Sequence, residues 1–225
     1  MTIVPDFDRS VALPVRLKRA GAVRHAAEVG GSQGYWRLRS VVDIAGALLL
    51  LPAVAFLAVI LIVLNPMFNP GPLLYRQRRM GKGCTPFLAI KFRTMTCGVQ
   101  ERGANDPVEV DRITPLGGIL RRMGLDELPQ AINVLRREMS LIGPRPDCVH
   151  HAEEFLAAIP EYSRRFAIRP GMSGLSQIKL GYAVGLEATR AKALTDIDYI
   201  DRAGLALDLW IAWRTLVTVA TGRGD

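Results

Sequence analysis

The chain has few aromatic residues, few histidines and cysteines, and only one long apolar run. Aromatics make up 7% of its 225 residues and do not interleave with the basic clusters. That argues against the stacking platform used to bind single-stranded nucleic acid, so no nucleic-acid partner is expected, although the formal net charge of +8 suits polyanions. The three cysteines, Cys84, Cys97 and Cys148, have no CxxC spacing. They read as reduced thiols of a cytosolic compartment. Three histidines in all, two of them adjacent at His150 and His151, argue against a zinc site. There is no glycine-rich nucleotide loop and no internal repeat. The apolar run starts too late and is too long for a signal peptide, and no small-residue cleavage site follows it.

What is present is one apolar segment, Val41–Leu64, long enough to cross a hydrocarbon core as a helix. Hydrophobic residues reach 49% of the chain, and the excess is concentrated in that segment. Asp43 lies near one end and Pro52 near the middle, where proline removes a helix hydrogen bond. Arg37 and Arg39 precede the segment, and Arg76, Arg78, Arg79 and Lys82 follow it. Positive flanks favour the cytoplasmic side. Two such flanks are satisfied together by a helix that breaks at Pro52, dips into the bilayer and returns. A spanning helix with a tolerated proline is the alternative, and these residues alone leave both open.

Beyond a turn-rich exit at 65–72, Leu73–Arg76 and Phe87–Phe92 are predicted as short strands around Gly81-Lys82-Gly83. Residues 97–112 read as a polar loop, and Ile119–Met123 as a short helix. Leu128–Met139 has the apolar spacing of a stronger helix. A further helix begins at Glu153–Ala158, Gly174–Leu180 suggests a strand, and Leu186–Tyr199 and Leu205–Val219 are predicted helices. Trp210 and Trp213 lie three apart on the last of these, which suits either a core stripe or a membrane interface.

The chemistry concentrates in Leu125–Pro146, LDELPQAINVLRREMSLIGPRP. Asp126 and Glu127 stand just before the predicted helix. Asp126 suits an N-cap there. The same position keeps a carboxylate ionised, as a nucleophile or a magnesium ligand, and favours a bound phosphate. Arg145, between Pro144 and Pro146, is presented stiffly, as a two-pronged phosphate contact requires. Arg121 lies five residues before Asp126, within reach of the same cleft. Lys91 and Arg93 alternate along a predicted strand and so share a face, with Phe92 inward.

From about Arg37 onward the chain resembles the bacterial sugar transferases, the small monotopic phosphoglycosyl transferases. The matching runs are the apolar segment with its central proline, PGPLLYRQ at 70–77, KFRTM at 91–95, LDELPQ at 125–130, MSLIGPRP at 139–146 and RPGMSGL at 169–175. The pattern departs from the common one at Leu51, where serine is frequent, and at Asp147, where glutamate is frequent. Larger members carry a multi-pass N-terminal domain, for which the 36 residues before Arg37 are too few.

The resemblance implies an α+β, mainly helical fold with short strands and amphipathic interfacial helices. It divides the chain into an extension at 1–36, a re-entrant membrane helix at 37–66 broken at Pro52, and a cytoplasmic-face catalytic domain at 67–225. It implies a monotopic enzyme of the bacterial inner membrane that moves a sugar phosphate from a UDP-sugar to polyprenyl phosphate with magnesium. Asp126 takes the nucleophile's place and Glu127 that of its acidic partner, the pair also holding the metal. Arg121 and Arg145 match the arginines that line the phosphate site, and Lys91 and Arg93, from their shared strand face, are expected to bind phosphate with them. Homo-oligomerisation is left open. A non-catalytic membrane-tethered scaffold has no need of Asp126, Glu127 and Arg145 together. A soluble nucleotidyltransferase fits poorly with two basic flanks and no nucleotide loop.

Overall fold

The computed structural model describes residues 29–96, 109–181 and 185–221. The expected extension lies largely outside the described residues, as does most of the polar loop at 97–112. The first element, α1, runs Gln33–Phe68, capped at its start by the Ser32 hydroxyl, which accepts from the Tyr35 amide at 3.2 Å. Its bounds exceed the expected 37–66. The expected break at Pro52 falls inside this one continuous helical element. A single proline removes one hydrogen bond, and the turns on either side keep theirs.

One face of α1 is seated on the rest of the protein along its whole length. Arg39, Asp43, Ala47, Leu61 and Asn65 are buried. The other face carries Leu49, Phe56, Val59 and Val63 at 80, 70, 62 and 67% exposure, so its apolar residues have no cover.

An antiparallel hairpin follows: β1, Leu74–Met80, pairs with β2, Pro86–Phe92, in a register that sets Tyr75 against Lys91. Then comes α2, Pro115–Arg122, longer than expected because Thr114 caps it and Pro115 opens it. Gly124, in a left-handed conformation at φ 63°, turns the chain sharply into a 3-10 segment, Leu125–Gln130. Only Ala131–Leu135 (α3) is α-helical of the expected Leu128–Met139. Pro129 lies within the 3-10 segment, and Arg137 at φ 61° closes the far end. Asp126 is therefore no N-cap. It stands inside the 3-10 turn.

The second sheet pairs β3, Ser140–Ile142, with β4, Gly171–Ser173, in parallel. Parallel strands need a crossover, supplied by α4, Val149–Ala158, and a 3-10 run at Pro160–Ala167. The strand expected at Gly174–Leu180 ends at Ser173, and Leu175–Leu180 forms a helix, α5. Two longer helices finish the fold: α6, Leu186–Asp201, and α7, Leu205–Ala220. On α7 the buried residues are Asp208 and Ile211, while Trp210 and Trp213 are 43 and 65% exposed. The tryptophans face outward and are not a core stripe.

The core is divided, and α1 places buried residues in two of its clusters, with Trp36 packed against a third. Ala47 packs with Ala131, Val134 and Met139, and Leu61 packs with Phe92 and Leu120. The apolar helix thus forms part of the protein's own core on both sides of Pro52. Burial of this kind, at roughly 25 cal/mol per Å² of apolar surface, ties its position to the domain.

Candidate active site

Three elements bring the candidate residues together. The 3-10 turn after Gly124 presents Asp126 and Glu127, the end of β2 presents Lys91, and the turn between β3 and α4 presents Arg145. They line one large open cavity, which Arg121 also borders.

The two carboxylates have different surroundings. Glu127 is gripped on both oxygens: Lys91 Nζ donates to Oε1 at 2.5 Å, and Arg145 forks onto Oε1 at 2.5 Å and Oε2 at 3.0 Å. Burial alone would raise its pKa, but Arg145 and Lys91 outweigh burial and hold it far below the usual carboxylate range. Asp126 is buried, yet no described residue donates a hydrogen bond to its side chain. Burial, and then the charge of Glu127, raise its pKa, against the pull of Lys91, Arg121 and Arg145. One carboxylate is therefore locked as an anion, and the other is left with reactive lone pairs. Lys91 is shifted downward, because burial outweighs the attraction of Glu127.

Arg121 is placed by its neighbours. Gly117 lets α2 approach β2's exit so closely that a Cβ there would lie 2.0 Å from the Thr94 carbonyl oxygen. One turn on, Arg121 Nε donates to Thr94 Oγ1 at 3.0 Å and its Nη2 to Met95 Sδ at 3.2 Å. Its charge is felt at Asp126.

Arg93 borders the same cavity, but its guanidinium is engaged away from the acidic pair. It donates to the Asn69 and Pro72 carbonyl groups and to Asn69 Oδ1 at 2.7 Å, stapling the exit of α1 to the end of the hairpin. The shared face expected with Lys91 fails because β2 ends at Phe92, so strand alternation stops one residue early.

A second set of groups holds the site from behind and was not legible in the sequence. Arg165, fully buried, donates to the Arg145 carbonyl at 2.9 Å, to Asp196 at 2.8 Å and to Asp147. Asp147 also accepts from Tyr162 and from Lys192, at 2.5 and 2.8 Å. Burial would raise the Asp147 pKa, but Lys192 and Arg165 hold it well below the usual carboxylate range. No local pattern announces these partners, which come together from 15 to 45 residues apart along the chain. The start of α1 joins the domain in a similar way: Asp43 accepts from Ser140 and from the Leu141 amide at 2.9 Å, and Arg39 donates to Ser140.

Among the described residues no group of three His, Cys, Asp or Glu side chains could hold a metal by itself. Asp126 has an open carboxylate. Both oxygens of Glu127 already accept from cations, so of the expected pair Asp126 is the less encumbered ligand. Magnesium is commonly held by one or two carboxylates with substrate phosphates and water completing its shell, and Asp126 fits that pattern.

Comparison with known proteins agrees with these motifs. The family model described as "Bacterial sugar transferase" matches residues 34–222. The chain is 41% identical over 188 residues to the UDP-glucose:undecaprenyl-phosphate glucose-1-phosphate transferase of Caulobacter vibrioides, covering 81% of this chain and 70% of that one. It is 38% identical over 191 residues to the UDP-N-acetylgalactosamine-undecaprenyl-phosphate N-acetylgalactosaminephosphotransferase of Aeromonas hydrophila, covering 84% of this chain but only 45% of that protein. It is also 35% identical over 194 residues to exopolysaccharide production protein PSS of Rhizobium leguminosarum bv. phaseoli, covering 81% and 93%. The matched span runs from the start of α1 to beyond α7 and takes in every residue of the candidate site: this chain belongs to the bacterial sugar transferase family.

Proposed function

We propose that this protein transfers a sugar phosphate from a UDP-sugar to a polyprenyl (undecaprenyl) phosphate with release of UMP, as a membrane step of exopolysaccharide or related glycan synthesis. The observation that carries the reading is the asymmetry of the acidic pair. Glu127 is pinned by Lys91 and Arg145, while Asp126 accepts no hydrogen bond from any described residue. Relatives that cover the same motifs are named as UDP-sugar:undecaprenyl-phosphate sugar-phosphate transferases.

The reaction runs in two displacements. An Asp126 oxygen attacks the sugar-side phosphorus of the UDP-sugar, the bond from that phosphorus to the UMP oxygen breaks, and UMP leaves. An aspartyl phosphosugar remains on the enzyme. A phosphate oxygen of the polyprenyl phosphate then attacks the same phosphorus, which frees the Asp126 carboxylate and gives a polyprenyl-diphosphate sugar. Arg121, Arg145 and Lys91 stabilise negative charge on the phosphoryl oxygens. Arg145 and Lys91 reach the phosphate from fixed positions, because Glu127 holds both. Magnesium, when bound with the diphosphate, supplies charge neutralisation, and Asp126 is the side chain that would hold it.

The lipid acceptor sets the location. The uncovered apolar face of α1 and the outward Trp210 and Trp213 of α7 suit a protein lying in the cytoplasmic face of the inner membrane, with α1 re-entrant and the cleft at headgroup depth. Seating of α1 on one domain at both ends favours re-entry over spanning.

The deciding experiment uses one substrate. With a UDP-sugar, magnesium and no lipid acceptor, UMP should appear in an amount no greater than the enzyme, and the peptide containing Asp126 should gain the mass of a phosphosugar. If UMP forms only when both substrates are present and no loaded peptide can be trapped, direct transfer is the better account. Topology is tested by single cysteines at positions 37 and 70 in a cysteine-free background. Both should label only from the cytoplasm, and periplasmic labelling of either establishes a spanning helix.

A further inference from the structure

Arg145 can aim its guanidinium only if the backbone beneath it is fixed, and the usual means of fixing a turn is partly missing here. Pro144 and Pro146 have no amide hydrogen, so they cannot anchor the turn by donating. It is held instead through its carbonyl groups. Four in succession are engaged: Pro144 by the Gly171 amide at 3.0 Å, Arg145 by Arg165 Nη2 at 2.9 Å, Pro146 by Arg79 Nη1 at 2.8 Å and Asp147 by the Met80 amide at 2.9 Å. Two of the four donors are backbone groups of neighbouring strands. The other two are arginine side chains, and they hold the carbonyl of Arg145 itself and the next one along.

We propose that Arg79 and Arg165 are positioning residues for phosphoryl transfer, clamping the backbone at Arg145 and Pro146 so that the Arg145 guanidinium is aimed at Glu127 and the substrate phosphate. The inference rests on the transferase reading above. It gives Arg79 a role beyond charge at a membrane flank. Arg79 lies near the end of β1, and its second nitrogen is steadied by Gln77 Oε1 at 2.6 Å. Arg165 is fixed from the opposite side by Asp147 and Asp196. The clamp thus joins the hairpin, the Pro160–Ala167 run and α6 to one catalytic side chain. Neither arginine is required to touch the substrate. They act through Arg145, and displacement of a reacting group by about 1 Å can cost on the order of a hundredfold in rate.

The test is a double-substitution cycle. Arg79→Gln should slow UMP release from UDP-sugar by roughly 10- to 100-fold with little change in melting temperature. In an Arg145→Lys background the same Arg79→Gln change should cost less than about threefold, since the side chain it aims is already gone. Arg165→Lys, which keeps the buried charge, should behave the same way. Losses that multiply fully in both backgrounds overturn the clamp, because a merely structural role would not depend on the identity of residue 145. A second measurement does not need turnover: crystal structures of the wild type and Arg79→Gln. The Arg145–Glu127 fork should be displaced or lost in the variant, and an unchanged fork overturns the proposal. If the wild type releases UMP from no UDP-sugar, the transferase reading fails, while the crystal comparison still decides whether Arg79 aims Arg145.

Discussion

Arg145 belongs to two clusters of buried charge at once, its side chain to one and its carbonyl to the other. On the cleft side stand Asp126 and Glu127 with Lys91, Arg121 and Arg145. On the inner side stand Asp147 and Asp196 with Arg165 and Lys192. The residue types are the same, but the balance differs. The inner cluster matches two carboxylates with two cations, and Asp147 accepts from three donors. The cleft cluster has two carboxylates facing three cations and leaves Asp126 without a hydrogen bond from any described residue. A network balanced in charge holds a backbone in place, even though Asp196 Oδ1 has no hydrogen-bond partner among the described residues. A network with spare positive charge and a spare nucleophile is prepared for an incoming phosphate.

The largest way to sharpen this contrast is at Asp126. Asp126→Asn keeps the shape and removes the nucleophile, so UMP release should fall by a factor of a thousand or more on the scale of about 1.4 kcal/mol per tenfold. The variant should still fold and attach to the membrane. Appreciable residual turnover, with contamination excluded, would make Asp126 a substrate or metal contact only.

Next in size is the inner cluster, where the effect moves from rate to stability. Arg165→Met leaves Asp147 and Asp196 buried without their arginine, a loss of about 3–5 kcal/mol for a broken buried pair. Arg121→Gln, on the cleft side, breaks hydrogen bonds to Thr94 and Met95 and removes a charge near Asp126, and should cost under about 1 kcal/mol while still slowing turnover. Chemical denaturation in detergent or nanodiscs checks both. If the two substitutions cost the same in stability, the division into a holding cluster and a reacting cluster is wrong.

Much of the cleft side was legible in the sequence because its members lie in short, strongly patterned runs. The DE pair, the GPRP turn and the hairpin around Gly81 are local features. The inner side was not, because its partners meet only through the crossover and α6. Local propensity also misled where tertiary contacts or special backbone positions decide the outcome. The periodic run at Leu128–Met139 became a 3-10 turn and a five-residue helix between Gly124 and Arg137, and that turn, not an N-cap, presents Asp126. Arg93 read as a partner of Lys91 because the strand's end could not be seen. Its capture by Asn69 depends on where α1 stops.

The smallest predicted effect separates the two carboxylates by pH. Asp126 has a folded pKa above its unfolded value, chiefly through burial. The folded state then holds that proton more tightly, so Asp126 costs stability once pH rises through the folded value, and the cost vanishes below the unfolded one. Glu127 and Asp147 have lowered folded values, so their contribution is present above the unfolded carboxylate range and lost as pH falls through the folded ones. Asp126→Asn should therefore melt above the wild type at neutral pH, by about 2–4 °C if the removed cost is about 1 kcal/mol. The gap should close on acidification, while the shared contribution of Glu127 and Asp147 falls alike in both proteins only from the unfolded carboxylate range downward. Melting curves of the two proteins across pH 4 to 8 (~1 unit apart) read the difference directly, since groups common to both cancel. A gap that widens in acid would mean that Asp126 is stabilised as an anion, paired like Glu127, and that the asymmetry on which the nucleophile assignment rests does not exist.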